Sequence, residues 1–189
     1  MKYMLLTAAA FGMATFASSA SAQIPLEMLQ GGGSNQGERY SEAFYKGPEG
    51  FWVLMRNKAN DGYGCSVSFI TADSVFALHG PLNAKQNKPD GALMFMGPAV
   101  PSPKSPSNVH VLLRSSDPDA NFPMTNFGFP DGSGAYIMGM PVSEMMKQKH
   151  DAETITLIHE GKQVFQSSVI RMSAALKQLQ QCIDKGKKK

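Results

Sequence analysis

The sequence predicts a mainly β fold, an antiparallel β-sandwich or bent sheet of about eight strands with a C-terminal helix packed on it. From Phe51 onward, short apolar runs are separated by Gly, Pro, Asn and Asp, a pattern typical of strands joined by turns. These strand-like segments lack the intervening helices that a parallel βαβ sheet requires. After the last of them, apolar residues recur at spacings of three and four, which predicts an amphipathic helix.

The N-terminal residues 1–22 have the three parts of a secretory signal peptide. Lys2 precedes an apolar stretch from Leu5 to about Ala17, and Ala20-Ser21-Ala22 forms a typical cleavage site. The apolar stretch is shorter than the about 20 residues that span a membrane, so we expect no stable membrane span. These features predict a periplasmic or secreted protein, in a compartment where disulfides form.

The rest of the chain is expected to form one domain with two extensions. Residues 23–50 are rich in Gly, Gln, Glu and Ser, which predicts a flexible N-terminal arm with one short helix around Glu38 to Tyr45. Residues 51–185 are predicted to form a single β-rich domain, and residues 186–189 a basic tail. The formal net charge is only +3 and much of it lies in this tail, so we expect no nucleic-acid partner.

Eight segments of the predicted domain have the apolar runs or the alternation of β-strands. They are Phe51 to Arg56, Tyr63 to Thr71, Ser74 to His79, Ala92 to Met96, Asn108 to Ser115, Ala135 to Met140, Glu153 to His159 and Lys162 to Val169. The last two segments meet at Glu160-Gly161, where the glycine permits the positive φ of a tight hairpin turn.

Two long connections between these segments are rich in proline. They cover Gly97 to Asn108 and Asp117 to Gly134, and their proline density blocks both helices and central strands. Loops carry binding sites more often than strands do, so these two loops are the predicted contact surface. Four aromatic residues around the second loop form either a binding patch or part of the core: Phe122, Phe127, Phe129 and Tyr136.

Two helices are predicted near the C-terminus. The first covers Val142 to His150, and the second, better-formed helix covers Ser173 to about Lys185. One apolar stripe runs along the second helix and predicts the face that packs on the sheet. The stripe consists of Met172, Ala175, Leu176, Leu179, Cys182 and Ile183.

The only two cysteines, Cys65 and Cys182, are predicted to form a disulfide. In Tyr63 to Thr71, the alternation places Cys65 on the same apolar face as Phe69. Cys182 lies on the apolar stripe of the terminal helix, so both sulfurs point toward the core. Two unpaired buried thiols are the alternative, while a redox-active pair is not expected because the sequence has no Cys-x-x-Cys spacing.

Two Met-x-Met pairs supply the metal-binding candidates. Met94 and Met96 are two residues apart, as are Met138 and Met140, so each pair presents its thioethers on one face of a strand. Thioethers suit Cu(I), although methionine more often fills irregular space in cores. The four histidines have no ligand spacing, and no cofactor is expected.

Motifs for nucleophilic catalysis are absent from the sequence. It contains neither a Gly-x-Ser-x-Gly elbow nor a Ser-x-x-Lys motif with its companion boxes, so no catalytic residues are predicted. Elaborate loops without a catalytic motif favour a non-catalytic binding or interaction module whose partner is a protein or a component of the bacterial cell envelope. The alternatives are a periplasmic copper-binding protein that uses the Met-x-Met pairs and a small periplasmic hydrolase. The oligomeric state cannot be predicted from these features.

The order of the elements also carries a resemblance. A signal peptide precedes Phe51-Trp52-Val53 at the start of the β domain, a cysteine lies in the next strand, and Ala174-Ala175-Leu176 lies in a helix after a hairpin. This layout, from Phe51 to Ile183, resembles the invasion-associated locus B family of small exported bacterial proteins, although a further cysteine expected near Met55 is absent. The resemblance implies a periplasmic β-sandwich with a role in the envelope or in host interaction.

Overall fold

The computed structural model of the protein describes residues 39–59, 62–81 and 90–186. The predicted signal peptide, residues 23–38 of the predicted arm and residues 187–189 of the predicted tail lie outside this part of the chain. The described residues form ten strands and two helices. Their bounds are β1 Arg39–Gly47, β2 Gly50–Ala59, β3 Gly62–Ile70, β4 Val75–Gly80, β5 Ala92–Gly97, β6 Ser107–Arg114, β7 Ala120–Gly128, β8 Gly134–Gly139, α1 Val142–Met145, β9 Ala152–His159, β10 Lys162–Ile170 and α2 Met172–Gly186.

All ten strands belong to one antiparallel sheet with the order β1-β2-β3-β4-β5-β8-β7-β6-β9-β10. The sheet curls, because β10 at one end packs across β4 and β5 near the middle. The ring centroids of Phe95 on β5 and Phe165 on β10 are 5.5 Å apart. The predicted mainly β fold with a C-terminal helix is confirmed. The sheet has ten strands instead of about eight, and it is a single curled sheet, which agrees with the predicted bent sheet and not with the alternative β-sandwich.

Two strands lie where the sequence predicts other structure. The expected helix around Glu38 to Tyr45 is wrong, since residues 39–47 form β1 and pair with β2. The expected loop from Asp117 to Gly134 is also wrong, since it contains β7. Pro123 is tolerated in β7 because the pairing with β8 begins only at Thr125, so a partner occupies only one side of the strand at Pro123.

The other predicted elements agree with the structure apart from their ends. The hairpin between β9 and β10 turns at Glu160 and Gly161, whose φ angles of 52° and 74° are both positive, as a tight two-residue turn requires. The first helix, predicted over Val142 to His150, ends at Met145. The predicted terminal helix is confirmed as α2, and all six residues of its apolar stripe are buried.

The two faces of the sheet are both apolar but differ in what they contact. The inner face packs against α2 and carries the main hydrophobic cluster, which includes the fully buried Trp52, Phe69 and Phe95. The indole N–H of Trp52 donates a hydrogen bond of 2.6 Å to the carbonyl oxygen of Ile170, linking β2 to the end of β10. The outer face carries a second, smaller cluster with Val53, Met55, Ile70, Val75, Met96 and Ala135.

Helix α2 is held at both of its ends. Near its C-terminus, the predicted disulfide between Cys182 and Cys65 is confirmed, with a Cα–Cα distance of 6.1 Å. At its N-terminus, the Asp151 carboxylate accepts hydrogen bonds from the backbone N–H and the hydroxyl of Ser173. These two hydrogen bonds favour the ionised carboxylate and lower its pKa. The two attachments fix α2 across the inner face.

The proline-rich connection before β6 lies against the sheet. Its backbone passes so close to β7 and β8 that a Cβ atom at Gly134 would overlap the carbonyl oxygen of Pro101. Val100 in the same segment is buried in the main cluster. Among the described residues, neither helix has the length and apolar character needed to cross a bilayer.

Candidate functional site

An apolar cavity of about 340 Å³ lies on the inner face of the sheet, between the central strands and the start of α2. Its apolar wall is built by residues of six strands, both helices and the segment after β8. The apolar lining residues are Phe76, Leu78, Leu93, Phe95, Leu113, Phe122, Met138, Met140, Met145, Ile155, Met172 and Leu176. The volume falls within the roughly 300–1,000 Å³ range of small-molecule pockets.

The order of the strands explains why these residues meet. Because β5 pairs with β8, Leu93 lies beside Met138 across the ladder. The pairing of β6 with β9 brings Leu113 opposite Leu157 and near Ile155. Each strand turns alternate side chains inward, so residues that are distant in sequence line one wall. The first turns of α2 close the other side with Met172 and Leu176.

Polar residues surround the mouth of the cavity. They come from the turn after β6, from the region of α1 and from the start of β9, and they are Ser115, Asp117, Glu144, Lys147, Gln148 and Glu153. The Lys147 ammonium forms an exposed salt bridge of 2.7 Å with Glu144. Helix α1 itself is positioned by Asp90, whose carboxylate accepts the backbone N–H of Val142 at 2.9 Å. The mouth therefore opens between two short surface segments.

Among the described residues, Glu153 is the one charged residue that is buried at this site, with 7% of its surface exposed. One carboxylate oxygen accepts the backbone N–H of Ser116 at 2.8 Å. The other accepts the side-chain amide of Gln148 at 2.5 Å. Sequence reasoning did not select Glu153, although strand alternation places it on the same face as Ile155 and Leu157.

The four aromatic residues predicted around the second loop do not form one patch. Phe122 is half-buried and lines the cavity. Tyr136 is fully buried on the inner face, and its hydroxyl lies 2.7 Å from Nδ1 of His159. Burial, with a smaller contribution from Glu160, raises the pKa of Tyr136 to about 12. Phe127 points away from the inner face by strand alternation, and Phe129 packs against the outer cluster.

The two Met-x-Met pairs lie on opposite faces of the sheet. Met94 and Met96 belong to the outer cluster, whereas Met138 and Met140 line the cavity on the inner face. The structure adds Met145 and Met172 to the inner pair, so four thioether side chains line one cavity. The described residues contain no group of three or more His, Cys, Asp or Glu that could hold a metal ion.

The histidines are dispersed over the described structure. His110 and His150 are exposed, His159 contacts Tyr136, and His79 lies on the outer face of β4. None of the described residues that line the cavity is a histidine. The cavity therefore has Ser115, Asp117 and Glu153 at its mouth but does not bring them together with a described imidazole, which a serine hydrolase of the triad type requires.

In comparisons with known proteins, no family model, no curated protein and no solved structure matches this chain.

Proposed function

We propose that this protein is an exported, non-catalytic binding module that holds a small apolar molecule in the cavity on its inner face. The observation that supports this proposal is the cavity of about 340 Å³, whose wall is apolar and whose polar residues lie at the mouth. Small-molecule sites have this composition, because the apolar wall supplies affinity while a few polar groups orient the ligand. The ligand is then a small molecule of the envelope rather than a protein bound by the loops.

The methionines in the wall support this function. Four flexible thioether side chains line the cavity, and methionine adapts to ligands of different shape because it is unbranched and polarizable. The proline-rich segment at residues 98–106 is partly packed on the sheet, which reduces the surface that it offers to a partner. The cavity is thus the better-formed site.

The sequence and the disulfide support the proposed export of the protein. The signal-like residues 1–22 and the disulfide Cys65–Cys182 both fit an oxidising compartment such as the periplasm. The resemblance to the invasion-associated locus B family supports the same placement. A role in the envelope or in host interaction is part of this proposal.

Filling the cavity is expected to abolish ligand binding. We expect wild-type protein to bind prodan, a neutral naphthalene dye, with a rise and a blue shift of its fluorescence. The Leu113→Trp variant places an indole in the wall, so its affinity for the dye should fall by about tenfold or more, equivalent to about 1.4 kcal/mol. Fluorescence titration measures both affinities.

The neighbouring residue on the same strand provides a matched control. Leu112 is half-buried and points to the opposite face of β6 by strand alternation, so Leu112→Trp should leave the dye affinity within about twofold. Near-ultraviolet circular dichroism checks that both variants are folded. Equal affinities for the two variants would show that the dye, and therefore the proposed ligand, does not occupy the cavity.

A second candidate function is Cu(I) binding by the cavity methionines. The observation that favours it is the convergence of Met138, Met140, Met145 and Met172 on one cavity, since thioethers are good ligands for Cu(I). This function requires binding tighter than micromolar, with weaker binding in Met140→Leu and unchanged binding in the outer-face variant Met94→Leu. Competition with a chromogenic Cu(I) chelator measures the affinity, and the absence of micromolar binding excludes this function.

A further inference from the structure

The mouth of the cavity is acidic although the whole chain is positively charged. Three carboxylates, Asp117, Glu144 and Glu153, and one ammonium, Lys147, lie at the mouth, whereas the full chain has a formal net charge of +3. Glu144 and Lys147 neutralise each other in their salt bridge. Two carboxylates therefore face the mouth without a basic partner among the described residues, which makes the local field attractive to cations.

Glu153 is a buried carboxylate that has no cationic partner among the described residues. Its side chain is more than nine-tenths buried, yet its two hydrogen-bond donors, from Ser116 and Gln148, are both neutral. No Lys or Arg within the described ranges lies at ion-pair distance from it. A carboxylate has about four acceptor positions, so two remain after these bonds. A buried charge of this kind is stabilised when a partner of opposite sign enters the site.

The Glu153 side chain lies in the wall of the cavity. It is the first inward-facing residue of β9, two residues before Ile155, and both residues line the cavity. The carboxylate is therefore located where the apolar wall meets the polar mouth. A ligand that fills the apolar space would place its polar end at this boundary.

From this arrangement we infer that the cavity binds a cationic amphiphile, with its apolar chain against the methionine-rich wall and its ammonium group at Glu153 and Asp117. This inference rests on the proposed function, because it specifies the ligand of the same cavity. The ammonium donates hydrogen bonds to the free acceptor positions of Glu153. A carboxylate head group of the same chain length would be repelled at the same place.

Three ligands with one chain length test the inference: decylamine, decanol and decanoate. Displacement of prodan from wild-type protein should give an affinity for decylamine that exceeds that for decanol by about tenfold, because hydrogen bonds between charged groups are stronger than neutral ones. Decanoate should bind more weakly than decanol. Similar affinities for decylamine and decanol would overturn the inference, while failure of decanol and prodan to bind would instead overturn the proposed function.

Two variants test which carboxylates cause the preference for decylamine over decanol. Glu153→Gln removes the buried charge and retains a side chain that accepts and donates hydrogen bonds, so the decylamine preference should fall about tenfold while the decanol affinity changes less than about twofold. Asp117→Asn lies on an exposed turn and should lower the preference about twofold without affecting folding. Asp184→Asn is the control, because it removes an exposed carboxylate of α2 that does not line the cavity. An unchanged preference in both Glu153→Gln and Asp117→Asn would contradict the assignment.

Discussion

Replacing Cys65 and Cys182 by alanine is expected to lower the free energy of unfolding by about 5 kcal/mol. The two cysteines are 117 residues apart, so the bridge closes a loop that contains most of the described sheet. Such a loop greatly restricts the unfolded chain, and removal of the bridge restores that conformational entropy. Urea unfolding at neutral pH measures the change, with the slope of the transition reporting the larger surface exposed by the open chain.

The single variants separate the bridge from the packing of the thiols. Cys65→Ala and Cys182→Ala each break the same bridge, so each should lose nearly as much stability as the double variant. Both residues are only 3% exposed, and the change in buried volume is small beside the effect of the loop. The unfolded, non-reduced wild-type protein should contain no reactive thiol. A double variant as stable as wild type would refute the structural role of the bridge.

Loss of the bridge should also affect the cavity. Helix α2 supplies Met172 and Leu176 to the wall, and the disulfide fixes its other end to β3. Once the bridge is reduced, α2 keeps its apolar packing on the sheet and the Asp151 hydrogen bonds at its N-terminus, but its C-terminal half is no longer tethered to β3. Dye binding by wild-type protein is therefore expected to weaken after reduction, under conditions where circular dichroism still reports a folded sheet.

The sequence predicts the regular strands and the bridge because their signals are local. In β3, alternate residues are apolar, and Cys65 shares the inner face with Val67 and Phe69. In α2, spacings of three and four define one stripe that includes Cys182. Two buried sulfurs on elements that face each other suffice to predict their pairing.

The two missed strands have weak local signals for different reasons. Within the described sheet, β1 is an edge strand that pairs only with β2, and most of its described side chains are exposed, so its sequence is polar and does not alternate clearly. β7 contains Pro123 and lies between Pro118 and Pro130, which are strong turn signals. It forms a strand because long-range pairing with β6 and β8 overrides its local preferences.

The cavity depends on contacts that no sequence window contains. It requires β5 to pair with β8 and β6 to pair with β9, and this order is not that of the chain. The register between β5 and β8 places the two Met-x-Met pairs on opposite faces of the sheet, since Met94 lies opposite Ile137 and Met138 lies opposite Leu93. Glu153 gave a readable signal, because an acidic residue on the inward face of a predicted strand is unusual and marks either a buried hydrogen-bond network or a binding site.

The second large effect is expected at acidic pH and arises from His79 on the outer face. Its Nε2 atom is buried and has no hydrogen-bond partner among the described residues. Burial disfavours the charged ring and lowers the pKa of His79 from 6.5 to about 4. The unfolded chain therefore binds a proton before the folded protein does, and stability is lost as the pH falls from 6.5 to 4. At pH 5, the expected loss is about 2 kcal/mol.

A leucine at position 79 should remove this acid sensitivity, because it fills similar apolar space and does not titrate. Urea unfolding of wild type and His79→Leu at pH 7.5 and pH 5 isolates the effect, since the other titrating groups contribute equally to both proteins. The difference between the two pH values should be about 2 kcal/mol smaller in the variant. His110→Leu, at an exposed position on β6, is the matched control and should retain the wild-type difference. If His79→Leu loses as much stability at pH 5 as wild type, the buried imidazole is not the group that responds to acid.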